Sequence, residues 1–264
     1  MSINYCEKER VFTLQTQNAT YQMIVDSRGY LLHCYYGAKI ERQNLSYCIQ
    51  PQDRGFAANP PDAAGDRTLS PDTLPQEYST FGVGDFRESC LDVRDKNGGV
   101  AADLRYGSYR IYPGKKPLNG LPAAYGNEKD VDTLEIDLRD EVSGLVVTLR
   151  YSVFAQWDVI ARSAEIFNRG TGVLILERAL SCCLDEPVPA SRDILTFYGR
   201  HMGERNLERM PLRHGKFRVD SMRGASSPHY NPFVILCDSA ATETAGNCWA
   251  FSLVYSGDFI AQAE

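Results

Sequence analysis

The chain has 264 residues, is 43% hydrophobic and 23% charged, and carries a net charge of −6, a globular balance with length enough for one large all-β domain or two ordinary ones. The acidic balance and the lack of any Lys/Arg run exclude a nucleic-acid binder. No window approaches the roughly 18 uninterrupted apolar residues that a membrane-crossing helix needs.

The first segment, MSINYCEKERVF, has no apolar stretch of the kind a signal peptide requires. The eight cysteines (Cys6, Cys34, Cys48, Cys90, Cys182, Cys183, Cys237 and Cys248) are scattered, and no C-x-x-C occurs. That usage fits reduced thiols in a cytoplasmic protein. Asn18 and Asn44 open glycosylation triplets, which carry no weight without secretion.

The first strand signal is TYQMIVDSRGYLLHCYYG, residues 20–37, which reads as two strands around Asp26-Ser-Arg-Gly29. Residues 51–89 then break the alternation, with Pro51, Pro60, Pro61, Pro71 and Pro75. A connection this long inside a compact domain is functional or disordered, and Phe56, Tyr78, Phe81 and Phe86 favour order. Asn97-Gly98 fits a type I′ turn. Residues 133–138 (TLEIDL) place Leu134, Ile136 and Leu138 on one face. Residues 145–153 (LVVTLRYSV) do the same with Leu145, Val147, Leu149, Tyr151 and Val153. The intervening RDEVSG supplies a turn, so the pair is a hairpin. A strand is expected over VLILERAL (173–180) after the turn NRGTG, and a late one over WAFSLVYSG (249–257). No long 3.6-residue pattern with a capping box appears. The expected fold is all-β: one large antiparallel two-sheet sandwich over residues 1–264, with few short helices.

Few motifs carry chemistry. His33, His201, His214 and His229 do not pair with one another or with cysteine at metal-ligand spacing, so neither metal nor cofactor is expected. FGVGDF (81–86) lacks the third glycine and the helix of a dinucleotide loop, and GKKPLNG (114–120) lacks P-loop spacing. GASS (224–227) is not a nucleophile elbow.

Paired carboxylates remain. The stretch LSPDTLPQEYSTFGVGDFRES, residues 69–89, holds Asp72, Glu77, Asp85 and Glu88 together with Arg87. Two carboxylates flanking a sugar can hydrolyse a glycoside. The alternative is a loop whose arginine and aspartates pair with each other or cap turn backbone. The fifteen tyrosines and two tryptophans permit stacking on sugar rings, although core packing claims most aromatics in a β protein.

DTLPQEYSTFGVGDFR (72–87) closely resembles a signature of bacterial alpha-galactosidases of glycoside hydrolase family 36. GLPAAYG (120–126), TLEIDLRDEVSGLVVTLRYSVF (133–154), DVIARSAEIFNRG (158–170), GERN (203–206), SMRGASSPHYNPF (221–233) and LVYSGDF (253–259) follow in that family's order. The resemblance covers nearly the whole chain. It implies the N-terminal β-supersandwich domain of a retaining enzyme acting on terminal alpha-galactosides such as melibiose or raffinose. In such enzymes both catalytic aspartates lie in a following (β/α)8 barrel, so no residue of this chain is assigned a catalytic role and the isolated chain is expected to be inactive. The implied partners are the alpha-galactoside, the chain's own barrel and further copies in a tetramer. A loop of this domain would complete a neighbouring subunit's sugar pocket, with Asp72 and Arg87 as the sugar-contacting residues. A carboxylate accepts from sugar hydroxyls and a guanidinium donates in a fixed fork. One departure is GRHMGER, where His201 stands in place of a tryptophan common in the family. The alternatives are a free-standing carbohydrate-binding sandwich, or the same domain of a relative with another alpha-glycoside specificity. Away from its partners the segment 57–80 is expected to be the least ordered.

Overall fold

A computed structural model describes residues 2–41, 43–56, 58–186 and 191–264. Its strands fall in two compact units, Met1–Lys116 with Tyr125–Val188, and Pro117–Ala124 with Pro189–Glu264. Helical structure among the described residues is confined to single 3-10 turns at Ser46–Cys48, Pro61–Ala63, Pro71–Thr73 and Ala155–Trp157.

The first unit opens with an antiparallel meander of β1 (Ile3–Cys6), β2 (Val11–Gln15), β3 (Ala19–Val25) and β4 (Leu31–Ala38). Asp26 fixes the β3–β4 turn, accepting from the backbone amides of Arg28 at 2.9 Å and Tyr30 at 2.8 Å. An aspartate does this because its short carboxylate reaches its own backbone two residues on. After β5 (Leu91–Asp95) comes a second meander of β6 (Arg105–Pro113), β7 (Asp132–Asp140), β8 (Leu145–Phe154) and β9 (Val159–Asn168), and β10 (Leu174–Ala179) pairs back onto β5. The expected hairpins at 20–37 and 133–153 and the strand near 173–180 are present.

The apolar face read from the sequence is the core face. Leu134, Ile136, Leu138, Leu145, Val147, Leu149, Tyr151 and Val153 are at most 2% exposed. They share one cluster with Phe12, Leu14, Tyr21, Met23 and Leu31 of the first meander. The two four-stranded sheets thus seal one core, each fully buried Leu or Ile contributing roughly 1.5–3 kcal/mol of transfer free energy. The turn between β7 and β8 needs a glycine: Gly144 has φ 74°, and a Cβ there would lie 2.5 Å from Gly170.

The Asn97-Gly98 turn differs from the type I′ expectation. Gly98 has φ 89°, but Asn97 is not in the positive-φ region, and type I′ requires both. Asp95 instead closes a turn to the Gly98 amide at 3.1 Å, and its side chain accepts from the Asn97 amide at 2.7 Å. That carboxylate makes the negative-φ turn the favoured one.

The second unit holds β11 (Arg192–Arg200), β12 (Gly203–Pro211), β13 (Phe217–Ser221), β14 (Tyr230–Asp238), β15 (Cys248–Ser252) and β16 (Phe259–Ala263). One sheet runs β12-β11-β14-β15 and a two-stranded ribbon pairs β13 with β16. Val219, Val234 and Phe259 form its core with Phe217, Phe251 and Leu253 against them. The late strand stops at Ser252, earlier than the sequence pattern suggested. Leu253 donates to the Pro232 carbonyl at 2.9 Å, but Pro232 has no N–H to return, so the ladder ends there. Every pairing between these strands is antiparallel, and the strands divide among five sheets.

Candidate functional site

The segment 69–89 is built inward from its base. Residues 75–77 lie along β4: the His33 amide donates to the Pro75 carbonyl at 2.7 Å, and the Glu77 amide to the Leu31 carbonyl at 3.0 Å. Leu69, Ser70, Leu74, Tyr78 and Ser79 are each at most 9% exposed. From Leu69 to Thr80 the segment is therefore mostly packed, with Asp72 and Thr73 half-buried, whereas 58–68 is largely exposed. Apolar Leu69 and Leu74 join a small cluster with Tyr30, Leu32 and Ala63, and this burial holds the proline-rich chain down.

Glu77 is the anchor, and it is 0% exposed. One carboxylate oxygen accepts from the Tyr21 hydroxyl at 2.6 Å, the Tyr151 hydroxyl at 2.8 Å and the Arg162 guanidinium at 2.6 Å. Arg162 also donates to the Cys183 carbonyl at 2.7 Å and to the Tyr21 hydroxyl at 3.1 Å. His33 Nδ1 lies 3.4 Å from the other carboxylate oxygen, and neither atom has a hydrogen-bond partner. Burial opposes ionisation of Glu77, but the Arg162 charge and then His33 and Tyr21 outweigh it and hold the carboxyl below its ordinary range. Burial pushes both phenols well above their ordinary range, Arg162 acting against it in each. Glu77 thus joins strands of both meanders to the loop. Sealed in this way, it has no path to a substrate and cannot serve as one of a hydrolytic carboxylate pair.

Asp85 and Arg87 form a second clasp. Arg87 donates through Nε to one Asp85 oxygen at 3.0 Å and through Nη2 to the other at 2.7 Å, the bidentate geometry a guanidinium favours. It also reaches Asp185 at 3.0 Å and the Leu74 carbonyl at 2.9 Å. Gln76 completes the clasp by donating to Asp85 at 2.9 Å. Burial and the Asp85 charge raise the Asp185 carboxyl above its ordinary range, with Arg87 pulling the other way.

Asp72 and Arg87, the two residues singled out for sugar contact, sit differently. The Asp72 side chain is 22% exposed and pairs with Arg54 at 3.0 Å, with a short bond from the Ser70 hydroxyl. The Arg87 side chain is 34% exposed, but the bonds above tie its fork to the domain's own groups. Beside them the loop presents apolar surface: Phe81 and Phe86 meet edge to face with ring centroids 5.9 Å apart. Phe86 is 62% exposed and Phe56 fully so. His201 lies exposed in the turn between β11 and β12. No group of three or more His, Cys, Asp or Glu able to hold a metal occurs among the described residues, and none of their helices is long and apolar enough to cross a membrane.

Sequence reasoning did not find Arg162, Tyr21, His33, Tyr151, Arg54 or Asp185. Each meets the loop only through the fold, and the alternation around Tyr21 and Tyr151 signalled core, without the polar partner at the ring tip.

The fold defines an all-antiparallel β-sandwich domain with a proline-rich loop clamped over one sandwich and aromatic rings turned outward. The chain belongs to the glycosyl hydrolase family 36 N-terminal domain family, whose profile matches residues 29–264. It is 48% identical over its whole length to the bifunctional alpha-galactosidase/sucrose kinase of Mediterraneibacter gnavus, covering 28% of that protein. It is 43% identical, again over its whole length, to the alpha-galactosidase AgaA of Geobacillus stearothermophilus, covering 36% of it. Among solved structures, the galactosidase domain of the alpha-galactosidase-sucrose kinase superposes with a TM-score of 0.96 over 99% of this chain and 36% of that one, at 48% identity. The family 36 alpha-galactosidase AgaB of Geobacillus stearothermophilus gives 0.92 at 43% identity, covering 99% of this chain and 35% of that one. The chain spans about a third of the length of the relatives it matches.

Proposed function

We propose that this chain is the non-catalytic N-terminal domain of a retaining alpha-galactosidase acting on terminal alpha-galactosides of the melibiose and raffinose type. The carrying observation is the full-length match, at 43–48% identity, to proteins named as alpha-galactosidases of which it covers about a third. In this reading both compact units form one domain that packs on a catalytic barrel. The protein works in the cytoplasm as a homo-oligomer, and the loop 69–89 completes a neighbouring subunit's sugar pocket. The clamp at Glu77 and Arg87 supports that role, because a loop that shapes another subunit's pocket has to be rigid before it docks. The exposed Phe81–Phe86 pair supplies apolar surface suited to such a contact.

Within the pocket Asp72 accepts from sugar hydroxyls, and Arg87 fixes the loop while turning its partly exposed edge to the same ligand. The test is Asp72→Ala in the barrel-bearing protein, assayed on an aryl alpha-galactoside. KM is expected to rise about tenfold, corresponding to loss of one charge-assisted hydrogen bond, with the oligomer mass in light scattering unchanged. An unchanged KM in the intact oligomer contradicts the assignment.

A further inference from the structure

We propose that Cys237 and Cys248 are a redox modification site: an oxidisable cross-strand dithiol that takes a low-molecular-weight disulfide such as oxidised glutathione as co-reactant. The two residues are direct partners in the β14–β15 ladder. The hydrogen bonds on either side define the type of pair. Leu253 donates to the Pro232 carbonyl at 2.9 Å and Asp238 to the Asn247 carbonyl at 3.0 Å. Pairs alternate along an antiparallel ladder, so counting from either end makes Cys237–Cys248 a non-hydrogen-bonded pair. Such pairs bring Cα atoms to about 4.5 Å, inside the range of about 4.4–6.8 Å that a disulfide spans.

The two differ in access. Cys237 is 1% exposed, whereas Cys248 is open to solvent on β15, the edge strand of its sheet. The guanidinium of Arg209 acts electrostatically on the Cys237 sulfur. It is held there by Asp193 at 2.6 Å and by the Ala241 carbonyl at 2.7 Å. Burial holds the Cys237 thiol above its ordinary range, with Arg209 acting against that. The accessible Cys248 therefore reacts first and Cys237 second.

The Cys248 thiolate attacks one sulfur of oxidised glutathione. A mixed disulfide forms, the glutathione S–S bond breaks, and the departing glutathione thiolate takes up the proton that Cys248 released. Cys237, deprotonated, then attacks the Cys248 sulfur. The second glutathione leaves and is protonated in turn. Two protein thiols are oxidised to one disulfide, and one oxidised glutathione is reduced to two thiols. The product staples the edge strand β15 to β14.

The sequence makes the readout clean, because no Lys or Arg occurs in residues 224–264 and that tryptic peptide contains only these two cysteines. The native 264-residue chain is incubated with oxidised glutathione, its remaining thiols are blocked, and it is digested without reduction. The 224–264 peptide is expected to lose the mass of two hydrogens, and dithiothreitol restores it. In Cys237→Ser the same treatment leaves one glutathione on Cys248, trapped for want of a second thiol. A stable glutathione adduct on wild-type Cys248, a peptide that does not react, or a disulfide formed in preference at any other cysteine overturns the proposal.

Discussion

At the residue scale the most informative group is Glu77, a charge buried at 0% exposure. Its desolvation cost is met by Arg162 and two phenols on a single oxygen. Removing one partner of such a pair costs far more than the pair contributes in net terms, because the other charge stays behind. Arg162→Met is therefore expected to lower unfolding free energy by about 3–5 kcal/mol in urea titrations, and Arg162→Met with Glu77→Leu to recover much of it. A loss below about 1 kcal/mol in the single variant contradicts the anchoring role. Glu135 gives a pH signature. Burial opposes its ionisation, but hydrogen bonds from Arg150, Arg110 and Tyr112 hold its carboxyl down to about 2, against 4.5 ordinarily. A carboxyl depressed in the folded state contributes stability that is complete above its unfolded value and is lost as pH falls through the folded one. The wild type is thus expected to lose stability between about pH 4.5 and 2 more steeply than Glu135→Gln, as read from thermal midpoints. Parallel curves for the two proteins contradict this. None of these partners was legible in the sequence: Tyr21 and Tyr151 stand 56 and 74 residues from Glu77, and only the closed sandwich brings them together.

At the element scale, legibility followed locality. The hairpins at 20–37 and 133–153 were readable because alternation and turn chemistry lie in one short window. Strand β12 (GERNLERMP) was not, because both its faces are largely polar and exposed, so no apolar period marks it. The end of β15 depends on a proline in the neighbouring strand, which no reading of β15 alone can register. The loop shows the same dependence: its prolines and irregular spacing left it either functional or disordered and its aromatics favoured order, but only its hydrogen bonds to β4 make residues 75–77 part of a sheet edge. Amide exchange discriminates. The Glu77 and His33 amides are expected to exchange about as slowly as the β3–β4 ladder, because each donates to a carbonyl across a buried seam. Residues 51–56, exposed throughout, are expected to exchange fast. Fast exchange at Glu77 removes the rigid-loop premise on which the pocket proposal rests.

At the scale of the whole molecule, the acids that suggested hydrolysis turn out to be structural. Glu77 and Asp85 close the fold, Glu88 pairs with Arg178 at 2.5 Å and Asp72 with Arg54 at 3.0 Å. Family membership was legible because ordered motifs run along nearly the entire chain, and the profile match over residues 29–264 agrees. The assignment of chemistry to another domain rests on the length of the relatives, of which this chain covers about a third. The most direct test is a hydrolysis assay with an aryl alpha-galactoside, run side by side on the folded 264-residue chain and on a barrel-bearing form of the protein. The chain alone is expected to give the rate of buffer and the longer form to turn over substrate. Turnover by the chain alone contradicts the account.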